Sequence, residues 1–139
     1  MVSNSGQASP LKQLLQGCFA LVLVVPGLAF AAQPQGDWKG LVQQANTDVA
    51  AQLRFRTDGV EVHFDEPFAC TAPARYLKEA GAVSVYRFMV SQNGGKFCQD
   101  LQGRDLTFTP GADGRLTMSF PSAKVTWHGE LRPANATSP

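Results

Sequence analysis

The fold is decided by Val49–Asp65, which reads VAAQLRFRTDGVEVHFD. Apolar residues alternate with polar or charged ones on both sides of Asp58-Gly59, with the period of two that is typical of half-buried β-strands. The dipeptide Asp58-Gly59 favours a two-residue type I′ turn, in which both central residues adopt positive φ. The stretch therefore predicts an antiparallel β-hairpin.

The same alternation extends in both directions from this hairpin. A first strand is expected to begin at Trp38 or Leu41, and later strands are expected over residues 83–90, 104–109, 116–120 and 125–131. Asn93-Gly94-Gly95 predicts a second hairpin turn. About eight short strands with turn signals every 8–12 residues predict an all-β fold, a small antiparallel β-barrel or sandwich. We expect a single domain over residues 36–132 and a disordered tail over residues 133–139.

The first 31 residues have the composition of a signal peptide. A single positive charge, Lys12, precedes an apolar run over residues 18–25, and small residues at positions 29 and 31 fit a signal peptidase site. The run is shorter than the ~20 residues that cross a bilayer, and Pro26-Gly27 interrupts it. We therefore expect a periplasmic or secreted protein with no membrane anchor after cleavage. A lipoprotein motif at Leu15–Cys18 fits less well, because the apolar run follows Cys18 instead of preceding it.

The charge of the remaining chain is balanced. The sequence has 12 Lys and Arg residues against 11 Asp and Glu residues, and Lys12 belongs to the predicted leader. A neutral domain lacks the excess of positive charge that attracts nucleic acid or an acidic membrane surface. We therefore expect neither of these as a partner.

Cys70 and Cys98 are the two cysteines expected in the exported chain. An even pair in an oxidising compartment favours a disulfide bond. Closing a loop of roughly 29 residues stabilises a fold by about 3.5 kcal/mol in the chain-entropy description. A redox pair usually has its cysteines closer in sequence, and a tetrahedral zinc site needs further ligands, so both alternatives fit less well.

Short motifs in the expected domain resemble known barrels. Gly36-Asp37-Trp38 in the first strand, with Arg132 at the end of the last, is similar to the arrangement in calycins, the lipocalin and avidin type of barrel. Pro67 ahead of Cys70, Asn93-Gly94-Gly95 ahead of Cys98, and residues 127–132 resemble the pattern of a class of small exported bacterial domains with two cysteines. The resemblance implies a barrel in which Trp38 packs against Arg132. Members of that class generally have no assigned activity.

Glu61, His63 and Asp65 form the first candidate site, because they lie on the polar face of one predicted strand. Carboxylate and imidazole groups suit metal binding or acid–base chemistry. Alternate residues of one strand project in parallel, roughly 6–7 Å apart, and do not converge by themselves. A solvated strand face is therefore the favoured interpretation, with no metal expected. His128 would complete a two-histidine site with His63 only if their strands were adjacent.

The expected exposed turns supply the second group of candidate binding residues, Asn93 and Lys96, with further turns at Asp58-Gly59 and over residues 111–114. No nucleophile motif or phosphate-binding loop is recognisable, so we expect no enzyme and no cofactor. Trp38, Trp127 and the phenylalanines are predicted core residues, because a domain of this size has few aromatic side chains to spare. A ligand pocket lined by the same residues is the alternative.

These observations favour an exported, non-enzymatic binding protein. Its most concrete version is an inhibitor or immunity protein that acts on a cell-envelope enzyme, because rigid loops on a disulfide-bonded barrel lose little entropy on docking. A calycin-like carrier of a small apolar ligand is the alternative, and it requires an internal cavity of at least ~300 Å³. A structural envelope protein is a third hypothesis.

Overall fold

The computed structural model describes residues 33–136 and the isolated positions 3, 6, 22 and 23. The rest of the predicted signal peptide, with its cleavage site, lies outside the described residues, as do positions 137–139 of the predicted tail. Within the described residues, no helix has the length and the apolar composition needed to cross a membrane.

Across residues 33–136, eight antiparallel strands form one closed barrel. The strands are β1 (Gly36–Gln44), β2 (Thr47–Phe55), β3 (Gly59–Phe64), β4 (Cys70–Ala80), β5 (Val83–Phe88), β6 (Asp105–Pro110), β7 (Leu116–Ser122) and β8 (Val125–Pro133). A short helix, α1 (Lys96–Leu101), lies between β5 and β6, and a 3-10 turn (Ala112–Gly114) lies between β6 and β7. Each strand pairs with the next, and β8 pairs with β1. The predicted all-β fold is confirmed, as a barrel and not as a sandwich.

The hairpin of β2 and β3 is confirmed, but its turn differs from the predicted one. β3 begins at Gly59, so this glycine belongs to the strand and not to the turn. The amide of Arg56 donates a hydrogen bond to the carbonyl of Gly59 over 2.8 Å. Asp58 and Gly59 both lack the positive φ that a type I′ turn requires. Glycine is needed at position 59 because a Cβ there would collide with the carbonyl oxygen of Ala74 on β4. The type I′ prediction is therefore wrong.

The predicted hairpin turn at Asn93-Gly94-Gly95 is also wrong, because this segment leads into α1. β4 is longer than β5, and the pairing between the two strands begins only at Ala74. The earlier residues of β4 need other partners, since an unpaired strand edge is a liability. The connection after β5 supplies them. Asn93 Oδ1 accepts a hydrogen bond from the amide of Thr71 over 3.2 Å, and the amide of Met89 donates to the carbonyl of Pro73 over 2.8 Å.

The predicted disulfide bond between Cys70 and Cys98 is confirmed, and it joins the start of β4 to α1. Both cysteines are fully buried. The rings of Phe68 and Phe97 stack with their centroids 3.7 Å apart, and each ring makes an edge-on contact with Trp127. The helix, the disulfide and these rings together close one end of the barrel.

The interior of the barrel is filled with apolar side chains. Trp127, a predicted core residue, is 4% exposed. Edge-on aromatic contacts run through the interior, with Phe55 and Phe108 at 4.9 Å between centroids. The largest fully buried side chains are Tyr86, Phe64, Phe88, Phe108, Phe120, Leu101, Leu106, Met118 and Leu131. Because these side chains come from five of the eight strands and from α1, the barrel has one continuous core.

Glycines at the closing seam let β1 and β8 approach each other closely. A Cβ on Gly40 would collide with the carbonyl oxygen of Glu130, and a Cβ on Gly129 would lie 2.6 Å from Cγ1 of Val42. Glycines at such positions allow the strong local bending that barrel closure requires. One glycine in each strand therefore permits the close pairing of β1 with β8.

Trp38 and Arg132 do not form the contact that the calycin resemblance implies. Trp38 pairs with Pro133 and Lys39 pairs with Arg132 across the seam, so Trp38 and Arg132 project to opposite faces of the sheet. The ring of Trp38 is half-buried and packs against the core, 6.5 Å from that of Phe55 between centroids, whereas Arg132 is exposed. The implied packing of these two residues is wrong for this chain.

The folded backbone continues past residue 132, where we expected the domain to end. β8 runs through Pro133, and the amide of Ala134 donates a hydrogen bond to the carbonyl of Asp37 over 2.8 Å. The beginning of the predicted tail is thus attached to β1.

Candidate functional site

Glu61 and His63 lie on the outer face of the barrel, in two cross-strand rows that we call the outer ladder. The first row crosses β1 to β4 through Asp37, Arg54, Glu61 and Pro73. The second row crosses the same strands through Lys39, Gln52, His63 and Thr71. These residues alternate along each strand with buried ones, so their side chains project toward solvent.

His63 makes its contacts within the outer ladder and its margin. Its Nδ1 atom lies 2.8 Å from Oγ1 of Thr71, and its Nε2 atom lies 3.4 Å from Oδ1 of Asp65. Gln52 donates a hydrogen bond to the same oxygen of Asp65 over 3.3 Å. Both ring nitrogens of His63 therefore have partners, and Asp65 is held beside them.

The first row of the ladder is joined by an ion pair. Nε of Arg54 lies 3.0 Å from Oδ1 of Asp37, and Glu61 stands directly opposite Arg54 on β3. Opposite charges at such positions stabilise neighbouring strands by roughly 0.2–1 kcal/mol. An open cleft of about 290 Å³ lies between the two rows and includes Glu61 and His63 in its walls.

The outer ladder does not gather its acids and its histidine around one point. Asp65, just past the end of β3, approaches the ring of His63, whereas Glu61 forms no hydrogen bond or ion pair with either residue among the described contacts. In the part of the chain that the structure describes, no group of three or more His, Cys, Asp or Glu side chains could hold a metal ion. The ladder is a surface of paired polar groups, suited to contact with another molecule.

The strands of His63 and His128 are not adjacent, so the condition for a site shared by the two histidines is not met. His128 lies on β8, where its cross-strand partners are Gln43 on β1 and Ser119 on β7. His63 lies on β3, between β2 and β4. Two strands separate β3 from β8, so the histidines cannot meet across a strand pair.

Asn93 and Lys96 lie at the end of the barrel that α1 closes. The side chain of Asn93 caps the amide of Thr71, as described above. Nζ of Lys96 lies 2.9 Å from Oδ2 of Asp100, one turn further along α1, and the Lys96 side chain is exposed. Both residues therefore hold their own segment in place, and both remain accessible at its surface.

Sequence reasoning missed an apolar surface at the end of the first row, which we call the Met89 surface: Pro73, Arg75, Arg87, Met89 and Val90. Met89 is 48% exposed and Val90 is 62% exposed. Open clefts of about 460 Å³ and 170 Å³ lie on the two sides of Met89, and Pro73 and Arg75 contribute to both. Two successive apolar residues after Phe88 break the alternation of β5, and this break was the signal in the sequence.

A polar cluster inside the other end of the barrel was also missed. Ser84, which is 2% exposed, donates through Oγ to the two carboxylate oxygens of Glu79 at 2.9 and 3.2 Å. The hydroxyl of Tyr76 donates to Oε1 of Glu79 over 3.3 Å. Burial, with smaller contributions from the charge of Glu79 and from Tyr76, raises the pKa of Tyr86 to about 12.

The cluster exists because the register of β4 shifts between Tyr76 and Lys78. Such a β-bulge changes which residues face inward, and it places Glu79 opposite the buried Ser84. The alternation of the sequence alone does not reveal this change of phase. The carboxylate is satisfied by hydroxyl groups of the barrel itself, which points to a structural role.

A comparison of the sequence with protein-family models and with curated proteins finds no match to either. The function must therefore be argued from the geometry of this barrel.

Proposed function

We propose that this protein is an exported, non-enzymatic binding module that recognises another protein through its outer surface, most concretely as an inhibitor or immunity protein of a cell-envelope enzyme. The observation that carries the proposal is the exposure of Met89 and Val90 side by side on the Met89 surface. Single exposed apolar residues are ordinary. A continuous apolar area with a polar rim is typical of interaction sites.

The backbone beneath the Met89 surface supports tight docking. The amide of Met89 is bonded to Pro73, and Oγ of Ser91 donates to the carbonyl of Thr71 over 3.0 Å. The same connection continues into α1, which the disulfide joins to β4. A segment that is already fixed loses little conformational entropy when a partner binds.

The rim of the Met89 surface has the composition of protein interfaces. Arg75 and Arg87 border the larger cleft together with Gln92 and Gln102. Arginine and methionine are enriched where proteins meet, because long side chains with delocalised or polarisable groups make extensive contacts. The guanidinium of Arg87 is fixed by Asp105, with Nη2 at 2.8 Å from Oδ1.

The filled interior favours recognition on the outside over a carrier function. A carrier needs an internal cavity of ~300 Å³ or more, and the space inside these strands is occupied by rings such as Phe55, Phe64 and Phe108. Clefts of about 290 Å³ and 460 Å³ are present, but they open on the outer surface of the barrel. The buried disulfide fits an exported protein, because such bonds persist in oxidising compartments.

The proposal is tested by affinity capture followed by direct binding measurements. The purified oxidised protein is immobilised and exposed to envelope extracts, and retained proteins are identified by mass spectrometry. The purified candidate is then titrated against the protein and against the double variant Met89→Asp, Val90→Asp. If the candidate is a cell-wall hydrolase, its activity on peptidoglycan is measured with and without the protein.

The matched control is Val125→Asp, which introduces a charge at another exposed apolar side chain, 39% exposed, at the first residue of β8. We expect one protein retained at near-equal stoichiometry, loss of its binding in the double variant and unchanged binding in the control. A partner that binds the double variant as tightly as the native protein would contradict the role of the Met89 surface.

A further inference from the structure

A second apolar depression lies on the far side of the outer ladder from Met89, across the seam of β8, β1 and β2. We call it the Leu41 depression. It has a volume of about 450 Å³, and its walls include Lys39, Gly40, Leu41, Ala50, Asp65, Glu130 and Arg132. Leu41 is 50% exposed in the middle of β1, although it lies in a strand that pairs on both sides.

Small residues create the depression. Leu41 stands opposite Ala50 on β2, and Gly40 precedes Leu41 along the strand. Gly40 lets β1 approach β8 closely, because a Cβ there would collide with the carbonyl oxygen of Glu130. The floor is therefore formed largely by backbone and by one methyl group, and Leu41 stands beside it as a large apolar side chain without cover.

Two cations at this site have no acidic side chain paired with them in the described residues. Lys39 and Arg132 stand directly opposite each other on β1 and β8, and like charges at such positions are destabilising. Among the described residues, neither forms an ion pair. The acids of the same depression are already engaged: Glu130 with Nη1 of Arg115 at 2.6 Å, and Asp65 with His63 and Gln52.

We propose that the Leu41 depression binds a segment of a partner protein that presents a carboxylate next to a large apolar side chain. The carboxylate lies between Lys39 and Arg132, where it relieves their mutual repulsion and where the arginine can donate two parallel hydrogen bonds. The apolar side chain covers Leu41 and Ala50. This site is separate from the Met89 surface and is independent of the proposed function there.

A second copy of the chain fits the depression less well than a different protein does. In a symmetric dimer the same patch meets itself, so the anions offered to Lys39 and Arg132 would be those of the same depression, Asp65 and Glu130. Both of these already have cationic or hydrogen-bonding partners. A segment with a free carboxylate brings the charge that this face lacks.

The test is a selection from a phage-displayed library of random short peptides on the immobilised, oxidised protein. We expect the retained peptides to be enriched in Asp or Glu beside Leu, Ile or Phe. The double variant Lys39→Glu, Arg132→Glu should retain these peptides at least about tenfold less, because it faces their carboxylates with like charges. The variant Leu41→Ser should weaken retention without removing the preference for acidic residues.

The matched control is Lys78→Glu, Lys124→Glu, which makes the same change of net charge at two exposed lysines outside the depression. It should retain the peptides like the native protein. Equal loss in the control, or full retention by the Lys39→Glu, Arg132→Glu variant, would overturn the proposal. So would the absence of any acidic preference among the retained peptides.

Two further measurements distinguish a protein segment from the two other possible occupants of the depression, a second copy of the chain and a lipid carboxylate. Sedimentation of the native protein and of the Lys39→Glu, Arg132→Glu variant would reveal a dimer that depends on this face, and such a dimer would overturn the proposal in favour of a second copy. Saturating binding of a fatty acid that the same variant abolishes, with no peptide selected, would assign the site to a lipid carboxylate instead. A monomer that selects acidic peptides supports the proposal.

Discussion

The interior and the outer surface of this barrel are built from the same alternating strands, yet they differ in what they leave uncovered. Inside, large apolar side chains such as Phe64 and Phe108 are fully buried and contact one another from strand to strand. Outside, several charged side chains form ion pairs, such as Arg54 with Asp37 and Arg115 with Glu130, while Leu41, Met89 and Val90 remain exposed. The inside provides stability, and the exposed apolar side chains outside are where we propose that recognition takes place. Substitutions on the two sides should therefore have separable effects.

The largest effect is expected inside, at Trp127. Trp127→Ala removes a ring that contacts Phe68, Phe97 and Phe120, and it should lower the free energy of unfolding by roughly 3–5 kcal/mol. Urea denaturation measures this change. The neighbouring substitution His128→Ala, on the outer face of the same strand, should change stability by less than about 0.5 kcal/mol. A neutral Trp127→Ala would place this residue at a binding surface instead of in the core.

The second effect concerns the closed end of the barrel. Cys70→Ser removes the covalent link between β4 and α1 and should cost about 2–5 kcal/mol. Thermal unfolding of the native protein with and without reductant checks the same link without a substitution. An unchanged melting temperature under reduction would show that the disulfide contributes nothing to stability.

The third effect is a pH dependence that belongs to Tyr86. The pKa of Tyr86 is raised to about 12 in the fold, above the ordinary value of about 10 that applies to the unfolded chain. The contribution of this group is therefore complete below about pH 10 and is lost as the pH rises toward 12, by up to roughly 2–3 kcal/mol. Urea denaturation at a series of pH values measures this loss. The free energy of unfolding should fall more steeply above about pH 10 for the native protein than for Tyr86→Phe. Parallel pH profiles would contradict this assignment.

The smallest effect on stability is expected outside, at Met89 and Val90. Both side chains are largely solvated, so Met89→Asp and Val90→Asp should each change the free energy of unfolding by no more than about 0.5 kcal/mol. Denaturant titration of the single variants measures this directly. A loss of several kcal/mol would show that these side chains belong to the core and would weaken the case for a binding surface.

The parts of the fold that depend on local pattern could be predicted from the sequence. The alternation of Val49–Asp65 determined the β2–β3 hairpin, because one face of each strand had to be buried. The exported context and the even number of cysteines indicated the Cys70–Cys98 bond. The barrel was one of two predicted closures, and the pairing of β1 with β8 across the length of the domain selects it.

The parts that depend on the relative lengths and phases of strands could not be predicted. Residues 89–93 bond to the start of β4, which extends beyond its pairing with β5. The β-bulge after Tyr76 turns Glu79 inward. No local pattern in the sequence indicates this bulge. The faces of Trp38 and Arg132 are decided by the register across the seam, and two short motifs cannot specify a register.

The most direct test of recognition on the outside is a calorimetric titration of the captured partner against three proteins: the native chain, the double variant Met89→Asp, Val90→Asp, and the control Val125→Asp. Recognition through the Met89 surface predicts that the double variant keeps its melting temperature and loses binding, while the control keeps both. Binding that survives in the folded double variant would contradict recognition through the Met89 surface and would move it to another part of the molecule.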